Sequence, residues 1–152
     1  FCDTVRREDV DLTFVTFGVG EVHIPDDVAD RIVDLGFVDE ATRDDAMAAA
    51  AAYLQPSALE SFSRTVMEAW LAGTPVIANG ASAVVRWHVE RSGAGLLYAD
   101  AAELEQALRF VTEAPDAAAE LAAPGRAYVL EHYTWPDTLD RMEASLEEWF
   151  PA

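Results

Sequence analysis

Two glutamates with seven residues between them, Glu60 and Glu68, flank a segment of small polar residues that runs into a helix-forming stretch. The segment reads Pro56-Ser57-Ala58-Leu59-Glu60-Ser61-Phe62-Ser63-Arg64-Thr65-Val66-Met67-Glu68-Ala69-Trp70. Pro56-Ser57 closes a strand, and Ser61 or Ser63 is placed to cap the helix that follows, whose first amides remain free. Free amides at the positive end of a helix hold anions, a diphosphate among them. Glu60 lies just outside the helix and Glu68 two turns in. A carboxylate pair flanking an anion site can accept hydrogen bonds from hydroxyls, such as those of a sugar ring or a ribose. The spacing also permits a plainer arrangement, because Arg64 and Glu68 are four residues apart. Such a helix-surface ion pair contributes about 0.2–0.5 kcal/mol.

The elements that must position this segment alternate in type. Val10 to Phe17 is β-branched and aromatic and ends at Gly18-Val19-Gly20, a buried strand and a tight turn. Pro25 to Val33 has helical spacing, with Asp26 and Asp27 at its start. A short strand is expected at Leu35 to Val38, an alanine-rich helix at Thr42 to Ala52, and a strand at Tyr53 to Gln55. Beyond the central segment come a helix at Thr65 to Ala72, a strand at Pro75 to Ala78, a helix near Val84 to Glu90 and a strand at Leu96 to Tyr98. Ala102 to Glu113, Asp116 to Glu131 and Pro136 to Trp149 carry apolar residues at helical steps. The fold class is therefore α/β: a Rossmann-like parallel sheet with helices on both faces and a helical tail. In such a sheet ligands bind outside the carboxyl ends of the strands. The segments that reach this edge are Gly18 to Gly20, Val38 to Glu40, Pro56 to Ser63, and Asn79 to Ser82.

Composition narrows the function. The 152 residues carry 28 acidic and 10 basic side chains, a net charge of −18, and every basic residue is arginine. Such a surface repels nucleic acid and anionic membrane, so a phosphate ligand must be held locally. No apolar run reaches the roughly 18 residues of a spanning helix, and no signal peptide is recognisable. Cys2 is the single cysteine, which fits a reducing, cytoplasmic setting; it has no base partner nearby and reads as inert. His23, His88 and His132 are too far apart for a metal motif and read as surface or helix-end residues. No metal site is expected. Gly18-Val19-Gly20 lacks the third glycine of a dinucleotide fingerprint, and no Gly-x-Ser-x-Gly elbow is present.

The central run, followed by Ala72-Gly73-Thr74-Pro75-Val76, closely resembles the C-terminal, donor-binding lobe of the family 4 retaining glycosyltransferases, which have the two-lobed GT-B fold. The likeness extends upstream to Gly18 and Gly36-Phe37-Val38-Asp39, and downstream to Gly95-Leu96-Leu97 and Tyr133-Thr134-Trp135. The resemblance implies transfer of a sugar from a UDP-, GDP- or ADP-sugar to a hydroxyl acceptor, with no cofactor. By position, Glu60 would be the catalytic residue against the donor sugar. The amides around Ser61, Phe62, Ser63 and Arg64 would hold sugar hydroxyls and diphosphate oxygens, and Glu68 the ribose. The Val38 backbone would face the base with Arg43 beside it, and Gly18 would let the first loop approach the phosphates.

Two departures from the family pattern are visible. Ser61 and Ser63 stand where many members carry glycine, which a negative-φ backbone tolerates. The double glycine and glutamate that usually follow the fourth strand are replaced by Asn79-Gly80-Ala81-Ser82, with His88 further on. The resemblance also implies that residues 1–152 form one nucleotide-sugar-binding lobe, with the acceptor lobe and a diphosphate-clamping arginine and lysine lying before Phe1. Phe1 then reads as the end of a helix already under way, and the lobe alone as inactive. Residues 136–150 would form a crossover helix that packs on the missing lobe, which could itself sit at a membrane, or on a second copy in a homodimer. The rival readings are a non-catalytic nucleotide-sugar-binding or protein-interaction lobe, and an epimerase or phosphorylase of similar architecture.

Overall fold

The computed structural model describes residues 12–150. Phe1, Cys2 and the opening of the Val10–Phe17 run lie outside the described residues. The elements follow in the order β1 (Phe14–Thr16), a 3-10 helix (Asp26–Arg31), β2 (Ile32–Asp34), α1 (Glu40–Ala49), β3 (Tyr53–Gln55), α2 (Arg64–Ala72) and β4 (Val76–Asn79). After these come α3 (Ala83–Ser92), β5 (Leu96–Tyr98), α4 (Ala101–Glu113), α5 (Pro115–Glu120), α6 (Ala122–His132) and α7 (Trp135–Trp149). Every strand pairing is parallel, and the strands form two sheets, β1–β2 and β3–β4–β5, in place of the single expected sheet.

Helix starts follow local chemistry. Asp39 accepts from the Thr42 amide at 2.8 Å, Asp100 from the Ala102 and Glu103 amides, and Thr134 from the Asp137 amide. Each supplies an acceptor to donors that a helix leaves orphaned.

Two expectations are corrected. The second strand is Ile32–Asp34, not Leu35 to Val38. The 3-10 helix ends at Arg31, the β-branched pair Ile32-Val33 takes the extended conformation, and Asp34 then accepts from the Gly36 amide at 3.1 Å. Gly36 turns there with φ of 61°, which ends the strand before Phe37. The single helix expected over Asp116 to Glu131 is two helices, α5 and α6. Pro124 has no amide hydrogen to continue the ladder past Leu121, and the chain breaks one turn earlier.

The three-stranded sheet lies between two apolar layers. β4 sends Val76 and Ala78 to one face, where they meet Val66, Met67 and Trp70 of α2, Val85 and Val89 of α3, and Tyr128 and Val129 of α6. It sends Ile77 to the other face, against Leu104, Leu108 and Val111 of α4. This period-two alternation buries both faces of the strand. Leu12 and Phe14 of the first sheet join the second layer, next to Leu54. Trp70 is fully buried and packs on α6 at Gly125, where a Cβ would stand 2.4 Å from the indole Cγ. Among the described residues the Trp70 indole N–H finds no acceptor.

The tail differs from the rest. No residue of α7 is buried, and Leu146, Trp149 and Phe150 are 44%, 68% and 74% exposed. No helix among the described residues is long and apolar enough to cross a membrane.

Candidate functional site

The chain between β3 and α2 is held by its own polar residues. Pro56 ends the strand, and its carbonyl accepts from Asn79 Nδ2 at 3.0 Å, tying the loop to the end of β4. Ser57 Oγ donates to the Leu59 carbonyl at 2.9 Å and accepts from the Leu59 amide at 3.3 Å. Buried beneath the loop is Gln55, the last residue of β3. Its Nε2 donates to Ser63 Oγ at 2.8 Å and to Glu60 Oε1 at 3.3 Å, and its Oε1 accepts from the Ser57 amide at 3.1 Å.

Ser63 corrects a sequence expectation twice. It precedes α2, but its side chain makes no capping bond, because the hydroxyl is turned inward to Gln55. Its backbone is left-handed, with φ of 65°, and among the described residues it is the only non-glycine one with positive φ. A negative-φ backbone is therefore not what tolerates serine here. The left-handed conformation, with a steric cost of about 1–2 kcal/mol, is accompanied by the buried hydrogen bond from Gln55. With no capping side chain, the first-turn amides of α2 keep the anion-binding capacity of an open helix end.

Glu68 lies one turn along α2 and faces α1. Its Oε1 is 3.2 Å from Arg64 Nη2 and 3.8 Å from Arg43 Nη2. The Arg64–Glu68 pair read as a surface alternative is thus present, but Arg43 from another helix shares the same oxygen. Arg43 also bonds Asp44 at 3.0 Å, which with the nearby Glu68 and Glu40 carboxylates raises the pKa of its guanidinium. Tyr53, on the same face of β3 as Gln55, is pushed up by burial and further by the charges of Glu60 and Glu68. The Thr42 amide and hydroxyl hold the Asp39 carboxyl below its ordinary value.

Phe62 packs edge-on against His88 and Tyr133, with ring centroids 5.1 Å apart in each case. His88 is buried, contrary to its reading as a surface or helix-end residue. Its Nδ1 is 3.0 Å from the Tyr128 hydroxyl, which lies 3.1 Å from that of Tyr133. Burial lowers its pKa. His23 is exposed and His132 half-buried, and no cluster of metal-ligating residues occurs among the described residues.

The structure thus brings together Glu60, Ser63 and Gln55 at the opening of α2, and Glu68, Arg64 and Arg43 along its first turn. Ser61 is exposed on the loop. Gly18 is exposed, with φ of 147° and its amide donating to the Gly36 carbonyl at 2.8 Å; Val38 is half-buried just before the Asp39 cap. No hydrogen bond among the described residues joins Gly18 or Val38 to either glutamate. Gln55 and Tyr53 escaped the sequence reading, which took YLQ only as a strand. The available signal was a polar amide at the end of a buried strand, since such groups are buried only with partners. The arrangement offers two carboxylates, one held by a neutral amide and one by two guanidiniums, on either side of a helix end that favours anions.

Solved structures share the fold. Sucrose-phosphate synthase from Thermosynechococcus elongatus superposes with a TM-score of 0.77 and 25% identity over 90% of this chain and 38% of its own. HepE from Anabaena, in its complex with UDP, superposes with a TM-score of 0.79 and 21% identity over 96% of this chain and 43% of its own. The same protein in complex with UDP-glucose gives 0.70 and 24% over 80% and 34%. The chain therefore spans about two fifths of the length of the first structures it matches. Its fold is the Rossmann-like α/β arrangement found in the GT-B glycosyltransferases. No curated protein matches the sequence. The family model for glycosyl transferases group 1 matches residues 1–113, most of the chain. The chain belongs to the glycosyl transferases group 1 family.

Proposed function

We propose that this chain is the donor-binding lobe of a family 4 retaining glycosyltransferase, which moves a sugar from a UDP-, GDP- or ADP-sugar to a hydroxyl acceptor. The observation that carries the reading is the placement of Glu60 and Glu68 on either side of the opening of α2, the first bonded by Gln55 and the second by Arg64 and Arg43. The sugar lies against Glu60, the diphosphate at the amides of Ser61, Phe62, Ser63 and Arg64, and the ribose on Glu68. The base lies at the Val38 backbone beside Arg43, and the Gly18 turn closes over the phosphates. HepE, of the same fold, is seen with UDP and with UDP-glucose, which supports a nucleotide sugar as the ligand.

In the reaction the bond between the sugar's anomeric carbon and the diphosphate breaks. The acceptor oxygen bonds to that carbon from the same face and loses its proton. The helix-end amides stabilise the departing negative charge, which is where an enzyme gains most. Glu60 orients the sugar and stabilises the positive charge that develops on it.

The acceptor site belongs to a second lobe, and α7, with residues 136–150, crosses to it. The uncovered apolar face of α7 supports that placement, and a homodimer through this face is the competing arrangement. A cytoplasmic setting goes with this reading.

The test is calorimetric titration of the intact protein with UDP, GDP and ADP, followed by nucleoside diphosphate release from the matching sugar donor in the presence of hydroxyl acceptors. The expected result is one preferred nucleotide and turnover. Binding without turnover would favour a non-catalytic recognition lobe, and absence of binding would overturn the donor site.

A further inference from the structure

Among the described residues, Gln55 is the only hydrogen-bond partner of the Glu60 carboxylate. The same amide bonds Ser63 Oγ and the Ser57 amide, so one buried side chain, 6% exposed, holds the loop at three points. A carboxamide has two N–H donors on its nitrogen and an acceptor oxygen. In Gln55 the donors go to Glu60 and Ser63 and the oxygen to the backbone. Its place at the end of β3, in register with the buried Ala78 of β4, fixes the amide to the core of the three-stranded sheet.

The neutrality of this partner is chemically pointed. An arginine or lysine in its place would bring an opposing charge to Glu60, whereas an amide orients a carboxylate without one. The bond occupies Oε1, and no contact engages Oε2 among the described residues, so one oxygen stays open to a ligand. The same amide also bonds the Ser63 hydroxyl, which fixes the amide in place beneath the loop.

We infer that Gln55 is the positioning residue of the transfer site. It sets the direction of the Glu60 carboxylate, and its bonds to Ser63 Oγ and the Ser57 amide anchor the amide itself below the loop. This rests on the assignment of Glu60 to the donor sugar. The effect belongs to the chemical step, because the nucleotide half of the site, at Arg43 and Glu68, makes no bond to Gln55.

The experiment compares Gln55→Met, Glu60→Ala and the double variant in the intact protein, using whichever of UDP-, GDP- or ADP-glucose the wild type turns over. Misplacing a reacting group by about an ångström lowers a rate on the order of a hundredfold. Gln55→Met is therefore expected to lower kcat by roughly ten- to a hundredfold while donor KM changes less than about twofold. In the Glu60→Ala background the same substitution should add less than about twofold, since residues acting as a unit are not additive. A full multiplicative loss in that background, or a KM rising in step with the fall in kcat, would overturn the role of Gln55 while leaving Glu60 in place. Wild-type turnover by Glu60→Ala would instead overturn the Glu60 assignment, and the inference with it. If Gln55→Met does not fold, Gln55→Asn keeps a buried amide one methylene short of Glu60 and is expected to show the same split. A crystal structure of either variant with the Glu60 carboxylate undisplaced would also overturn the inference.

Discussion

Arg43 of α1 reaches across to Glu68 of α2, with Nη2 and Oε1 3.8 Å apart, although the two helices are separated in the chain by β3 and its loop. Arg64, on Glu68's own helix, approaches the same oxygen but is largely exposed. A carboxylate steadied from a neighbouring helix is a placed group, while a lone exposed helix pair adds only a few tenths of a kcal/mol.

Glu68→Ala is expected to weaken nucleotide binding by about 1.5–3 kcal/mol, the loss of a charged acceptor for ribose hydroxyls. Calorimetric titration of wild type and variant with the preferred nucleoside diphosphate checks this. Equal affinities would reduce Glu68 to a surface ion pair.

Glu60→Gln is expected to lower the transfer rate more than nucleotide affinity, since the proposed donor site sets this carboxylate against the sugar and not the nucleotide. Steady-state kinetics alongside nucleotide titration separates the two. A drop in affinity with kcat preserved would move Glu60 out of the reacting region.

His88 gives the fold a pH dependence. Burial lowers its pKa below the ordinary 6.5, so between its folded value and 6.5 the unfolded chain binds more protons. Stability from this residue is complete above about 6.5 and is lost as the pH falls below it. The urea midpoint of the wild type should therefore fall more between pH 7.5 and 5.5 than that of His88→Asn. Parallel falls in the two proteins would show that His88 carries no such linkage.

Gly125→Ala is expected to destabilise the protein by at least about 1–3 kcal/mol, because the new methyl would be driven into the buried Trp70 indole. Trp70→Leu in the same chain should recover part of the loss by making room. Denaturant unfolding of the single and double variants measures both, and additive losses would rule out the contact as the cause.

Leu146→Ser with Trp149→Ser should leave the unfolding free energy of the lobe within about 0.5 kcal/mol, as for surface positions in general. In the intact protein the pair should loosen whatever covers α7. Light scattering of both distinguishes a second copy from a second lobe: loss of a dimer supports the first, an unchanged mass with reduced turnover the second.

What the sequence shows plainly is what local chemistry decides. Tyr53–Gln55 and Leu96–Tyr98 are strands at the positions read from their β-branched and aromatic content and bounding turns, and Gly73 and Gly93 stop α2 and α3. Ile32–Asp34 was hidden because Ile32 also fits a helical period with Val28, and only the 3-10 turn and Gly36 resolve the conflict. The two glutamates were legible from spacing. Gln55 and His88 were not, because their importance lies in partners such as Glu60 and Tyr128, which no local pattern reveals.

The division of the strands into two ladders has a consequence for how the protein comes apart. Among the described residues no backbone hydrogen bonds join β1 to β3; the first sheet is attached through side chains such as Phe14, with the preceding Leu12, packed on the Ile77 cluster that Leu54 also packs against. Contacts of that kind can be given up without breaking a ladder, so the β1–β2 unit can open while β3–β4–β5 stays closed around Ile77 and Trp70. Native-state amide exchange should then resolve two cooperative units, with Val15 and Val33 exchanging through a shallow opening and Ile77 and Ala78 only through global unfolding. Glu60 is tied through Gln55 to the slow unit, whereas the Gly18 turn follows the fast one. The structure thus sets a stiff floor under the glutamate and a more pliable lip at Gly18.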